Sequence, residues 1–96
     1  MNKNHITPVH PGKVLVDELK EIGLSQSALA QHIGVLSKTI NEICRGKRGV
    51  SPLMAFKLAR TFGQSPELWI GLQKEWELSQ VTESDYDAVG RIKLRA

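Results

Sequence analysis

Lys38, Asn41 and Arg45 are three and four residues apart, the spacing that stacks side chains on one side of a helix. Their chemistry is that of reading rather than of bond-breaking. A carboxamide such as that of Asn41 matches two major-groove atoms of adenine, and a lysine meets guanine acceptors or phosphate oxygens. Ser37 and Thr39 add hydroxyls, so Ser37, Lys38, Thr39, Asn41 and Arg45 form the set expected to reach base edges. Gln26, Lys47 and Arg48 are expected to hold phosphates. Gln26 would do so beside the free N–H groups of a helix start, and the two cations from a loop running along the nucleic-acid backbone. Lys57 and Arg60 either extend that clamp or form a solvated helix face.

The elements needed to present these groups are marked in the surrounding residues. Ser25 stands where an N-cap belongs, ahead of Leu29, Ala30 and Ile33 at helical spacing. Gly34 follows the last of them and is suited to the left-handed conformation that ends a helix. Ser37 is expected to cap a second helix whose Ile40 and Ile43 face inward with Cys44 beside them. Ala30 supplies the small side chain that two steeply crossing helices need. Two short helices, a tight turn at Gly34 and an outward polar set make a helix-turn-helix, for which duplex DNA is the expected partner.

Three further helices are legible. Pro11 starts the first, with Val14, Leu15, Leu19 and Ile22 on its apolar face and Gly23 as its stop. Gly46 ends the third helix, and Lys47-Arg48-Gly49-Val50 is a basic loop. Ser51-Pro52 opens a fourth helix running to Phe62, with Met54, Leu58, Ala59 and Phe62 as core candidates. Ser65-Pro66 opens a fifth, reaching Ser79 or Gln80. On it, Leu68, Trp69, Leu72 and Trp76 form one apolar face, and Ile70, Leu78 and Val81 lie nearly opposite. A helix apolar on two sides needs two partners. The second is either another subunit, with Ile70, Leu78 and Val81 at a dimer interface, or the C-terminal segment folding back over Ile70 and Leu78. Residues 1–9 read as an extended arm, 10–80 as the helical domain and 81–96 as an extension. Within the extension, Glu83-Ser84-Asp85 suits a short helix running to Val89. Gly90-Arg91-Ile92-Lys93-Leu94-Arg95 suits a strand, a docking tail or a disordered end.

The 96 residues suffice for one domain with a modest core, and their formal net charge is +3. The charge is uneven. Residues 38–60 hold six basic side chains against Glu42 alone, whereas 61–90 hold six acidic ones against Lys74 alone. That split suggests a DNA face and a separate assembly face. No apolar run reaches the roughly 18 residues of a membrane span, no secretory leader is evident, and the single cysteine fits a reducing cytoplasm. His5, His10, His32 and Cys44 lack the spacing of a zinc site. Asp17, Glu18 and Glu21 make a solvated face, and Glu75 and Glu77 point to different sides of a helix. No glycine-rich phosphate loop or Ser-His-Asp order is present. Neither catalysis, nor a metal, nor a cofactor is therefore expected.

Beyond these readings, His10-Pro11-Gly12-Lys13-Val14-Leu15, Leu24-Ser25-Gln26 and Ser65-Pro66-Glu67-Leu68-Trp69-Ile70-Gly71-Leu72-Gln73 resemble the signature of HigA-type antitoxins, also called virulence-associated protein I. These belong to the phage-repressor and Cro-like helix-turn-helix class, and the resemblance runs from His10 to Leu78. It implies an all-α, five-helix λ-repressor/Cro-like domain with a short C-terminal extension. It implies a homodimer on a near-palindromic operator, which neutralises a RelE/HigB-like mRNA-cleaving toxin and represses its own operon. Gln26, Ser37, Lys38, Thr39, Asn41 and Arg45 match the DNA-facing slots of that class, and Trp69, Leu72 and Gln73 match its helix-five segment. Two other functions fit the same residues. One is a stand-alone Cro-like repressor without a toxin. The other is an interaction module that uses the acidic stretch 67–87 to hold a basic partner.

Overall fold

The computed structural model describes residues 8–94 as five α-helices and one 3-10 turn: α1 (Pro11–Ile22), α2 (Gln26–Ile33), α3 (Ser37–Cys44), α4 (Pro52–Phe62), α5 (Pro66–Ser79) and the turn Glu83–Asp85. Most of the expected arm, with His5, and the last expected residue of the basic-apolar alternation, Arg95, lie outside the described residues. No strand occurs among those described.

The serine-proline punctuation does what its chemistry predicts. Ser51 Oγ accepts the Met54 N–H at 3.1 Å and Ser65 Oγ the Glu67 N–H at 3.3 Å, each with proline opening the helix behind it. Ser25 Oγ accepts the Ala28 N–H at 3.0 Å. Ser37 departs from expectation. It is already the first helical residue, and Leu36 occupies the cap without a side-chain bond. The Leu36 backbone carbonyl instead accepts the Thr39 N–H at 3.0 Å. The position is dictated by the turn: Gly34 sits at φ 75°, the Val35 N–H closes onto the Ala30 carbonyl at 3.0 Å, and the Val35 side chain packs on the core. The chain therefore re-enters a helix one residue earlier than the serine suggests.

One core holds the five helices. Leu15 and Leu19 of α1, Leu29 and Ala30 of α2, Ile40 and Ile43 of α3, Met54, Ala55, Leu58 and Ala59 of α4 and Trp69 of α5 are buried together with loop residue Val50. Trp69 is wholly buried, and its indole N–H is satisfied by Gln64 Oε1 at 2.8 Å. α1 lies so close to α3 that a Cβ on Gly12 would fall 1.7 Å from the Ile43 carbonyl oxygen; only glycine fits.

α5 is more lopsided than its sequence suggests. Leu72 and Trp76 are half-buried, but Leu68, one residue and about 100° from Trp69, lies beyond the rim of the core and is 43% exposed. Ile70, Leu78 and Val81 are exposed as well. The C-terminal extension does not cover them, since every residue from Val81 to Leu94 is itself exposed.

Candidate nucleic-acid interface

α3 buries Ile40 and Ile43 and turns its other side outward. Ser37, Lys38, Asn41 and Arg45 are exposed there together, as their spacing predicts. Thr39 is half-buried, one turn before Ile43, and so stands at the flank of the stripe. Leu36 at the entrance of α3 is 72% exposed, an apolar group at the edge of the polar set that sequence patterning did not single out.

The crossing of α2 and α3 brings Gln26 to the stripe. Asn41 Nδ2 donates to Gln26 Oε1 at 3.1 Å, which leaves Asn41 with its oxygen and one N–H free. Fifteen residues separate the two, so only the helix crossing reveals the contact.

The basic loop follows α3 and doubles back on it. The Gly46 and Lys47 N–H groups donate to the Ile43 and Glu42 carbonyls at 3.0 and 2.8 Å. Lys47 and Arg48 are exposed, but Arg48 is not free. Its guanidinium pairs with Glu42 Oε1 at 2.7 and 2.8 Å. Lys57 and Arg60 do not join this group; with His32 they line a groove between α2 and α4.

Two other residues hold the loop in place. Gln73 of α5 accepts the Val50 N–H at 2.8 Å, and its own amide donates to Glu77 at 2.8 Å. The fit is close: a Cβ on Gly49 would lie 2.8 Å from Gln73 Nε2. His10, the cap of α1, accepts the Gly12 N–H on Nδ1 at 2.9 Å and stacks edge-on against Trp76 with ring centroids 4.8 Å apart. Burial holds its imidazole below the ordinary value, and a hydrogen bond with the Arg48 main chain opposes that shift. His10 and Gln73, from opposite ends of the chain, thus converge on residues 46–50. The sequence marks Pro11 as a helix start and Gln73 as part of a helix-five segment, whereas this shared role exists only once the helices are placed in space. The available signal was a lone carboxamide on a largely apolar helix.

Cys44 is half-buried, and burial pushes its thiol up, away from the thiolate that nucleophilic or redox chemistry needs. Among the described residues, no group of three or more His, Cys, Asp or Glu side chains could hold a metal ion, and no helix is long and apolar enough to cross a membrane.

An exposed polar stripe on the second of two crossed helices, joined across the crossing to the first, defines a helix-turn-helix protein. The helix-turn-helix family pattern matches residues 16–69, over half of the sequence, and the chain belongs to this family. Virulence-associated protein A' of Dichelobacter nodosus is 40% identical over 83 residues, covering 85% of this chain and 72% of its own. The Pseudomonas aeruginosa antitoxin HigA, solved with the higBA promoter, is 41% identical and superposes with a TM-score of 0.73 over 84% of this chain and 85% of its own. Antitoxin GraA, solved in complex with its operator, is 36% identical with a TM-score of 0.80 over all of both chains. The expected HigA-type family and Cro-like all-α fold are thereby shown.

Proposed function

We propose that this chain is a sequence-specific DNA-binding antitoxin that represses its own operon as a dimer and neutralises a RelE/HigB-like mRNA-cleaving toxin. The observation that carries the DNA part is the exposed stripe Lys38-Asn41-Arg45 with Gln26 bonded to it. Ser37, Lys38, Thr39, Asn41 and Arg45 read bases, and Gln26, Lys47 and Arg48 hold phosphates. Residues 10–80 form the DNA-binding unit and 81–96 the extension. Ile70, Leu78 and Val81, apolar and exposed, form the dimer contact, setting two α3 helices about 34 Å apart on a near-palindromic site. Similarity to HigA and GraA supports the antitoxin role and operon control.

Two measurements test this. Footprinting on the DNA upstream of the chain's own gene should protect one near-palindromic site; uniform weak binding along the fragment would remove sequence specificity. Co-purification with the neighbouring gene's product should yield a stable complex with a protein that halts growth when expressed alone. Operator binding without such a complex would leave a stand-alone repressor.

A further inference from the structure

Between the end of α2 and the outer side of α4 lies an open groove of about 510 Å³. Ile33, Phe56, Ala59 and Pro66 give it an apolar lining, and its two charged side chains, Lys57 and Arg60, are both basic, with His32 beside them. Phe56 is 58% exposed, although it is the largest apolar side chain there. None of the α3 stripe lines this groove, so its cations stand apart from the proposed DNA face.

The same chain carries the complementary surface. In the extension, Val81, Tyr86 and Val89 are exposed apolar groups interleaved with Glu83, Asp85 and Asp87. An acidic segment with an aromatic anchor matches an apolar groove with a cationic rim in both charge and hydropathy. The extension is not placed to fill the groove of its own chain. The groove touches α5 at Pro66, whereas the extension leaves α5 after Ser79, about 20 Å away for a 14-residue helix. Pairing two α5 helices antiparallel about a two-fold axis removes that separation, because each helix's C-terminal end then lies beside the other's N-terminal end.

We infer that the acidic extension of one copy, residues 81–89, docks in the groove between α2 and α4 of a second copy. The inference rests on the dimer reading above and adds to it: α5 supplies the centre of the interface, and the exchanged extensions clasp its two edges. Tyr86 meets Phe56, and Glu83, Asp85 and Asp87 meet Lys57 and Arg60. Solvent exposure keeps each ion pair weak, so the clasp works by several small terms rather than one large one.

The full-length protein, with a photo-crosslinking residue at position 86, is mixed as light- and heavy-isotope copies and irradiated. Sedimentation is run in parallel. The expected result is a dimer with crosslinks from position 86 to the peptide spanning residues 56–64, found in mixed light–heavy pairs. Lys57→Glu with Arg60→Glu should weaken the dimer by about three- to tenfold. Adding Glu83→Lys and Asp85→Lys to the same chain should restore it. A dimer whose crosslinks fall elsewhere, or only within one chain, overturns the clasp and leaves the α5 interface standing. A monomer at all concentrations overturns both. Crosslinks that form only after the neighbouring gene's product is added, and then to that product, assign the extension to the heterologous partner and overturn the exchange.

Discussion

Asn41 of α3 donates its side-chain amide to Gln26 of α2 across 3.1 Å, so the residue best suited to read adenine is oriented by the residue that opens the preceding helix. An amide held in one rotamer loses less freedom when it meets a base. Asn41→Ala should therefore cost roughly 1–3 kcal/mol at one preferred base pair. Gln26→Ala should cost less, and the double variant less than the sum. Competition binding with a set of operators mutated one position at a time checks this. Equal losses on every sequence would place Asn41 among the phosphate contacts.

Glu42 occupies Arg48 at 2.7 Å, next to the stripe. The carboxylate both repels phosphate and restrains the cation nearest to it. Glu42→Gln should tighten binding to all duplexes and steepen the salt dependence by about one counterion. The pair is exposed, so thermal stability should change little. A titration series in salt gives the slope; an unchanged slope would mean that Arg48 does not reach the backbone.

Gln73→Leu removes the acceptor of the Val50 N–H while keeping most of the volume. A buried donor left unpaired costs about 1–3 kcal/mol of stability. Because the 46–49 segment loses its anchor, the salt slope should also fall, while the ranking of operator variants stays the same. Denaturation and salt-dependent binding on one preparation separate the two effects. A variant with altered base preference would show that the loop reads sequence.

His10 makes stability depend on pH with a definite sign. Its folded-state pKa lies below that of the unfolded chain because burial disfavours the charged ring, and Nδ1 can cap α1 only when unprotonated. The unfolded chain thus binds the proton more readily. The contribution is whole above the ordinary histidine range and is lost as pH falls through the depressed folded-state value. Melting temperature should drop on acidification through that range, and His10→Asn, which caps without titrating there, should flatten the drop. Parallel curves for both proteins would remove His10 as the cause.

Helix ends were the most readable feature of the sequence because their determinants are local. Pro11, Ser51-Pro52 and Ser65-Pro66 mark where α1, α4 and α5 begin, and the glycines after Ile22, Ile33 and Phe62 mark where helices end. The outward set on α3 was readable for the same reason. Ser37 misled because the cap was settled by packing of Val35 rather than by side-chain chemistry. The pairs Gln26–Asn41, Glu42–Arg48 and Gln73–Val50 were not legible, since each depends on how elements are placed in space. Val50 shows this most clearly: a lone valine in a basic loop, it is 5% exposed because α5 passes behind it.

His10, Gly12 and Gln73 belong to the segments that carry the family resemblance, and all three lie behind the α3–loop unit rather than on its outward stripe. On the proposed reading, in which the stripe contacts bases, frame and alphabet fall to different residues. Letters on the stripe can be exchanged without disturbing the supports, so duplicate copies of such a gene in one genome can drift to separate operators and stop interfering with one another. The same division makes the scaffold a practical host for selecting new operator preferences from libraries confined to a few positions of α3.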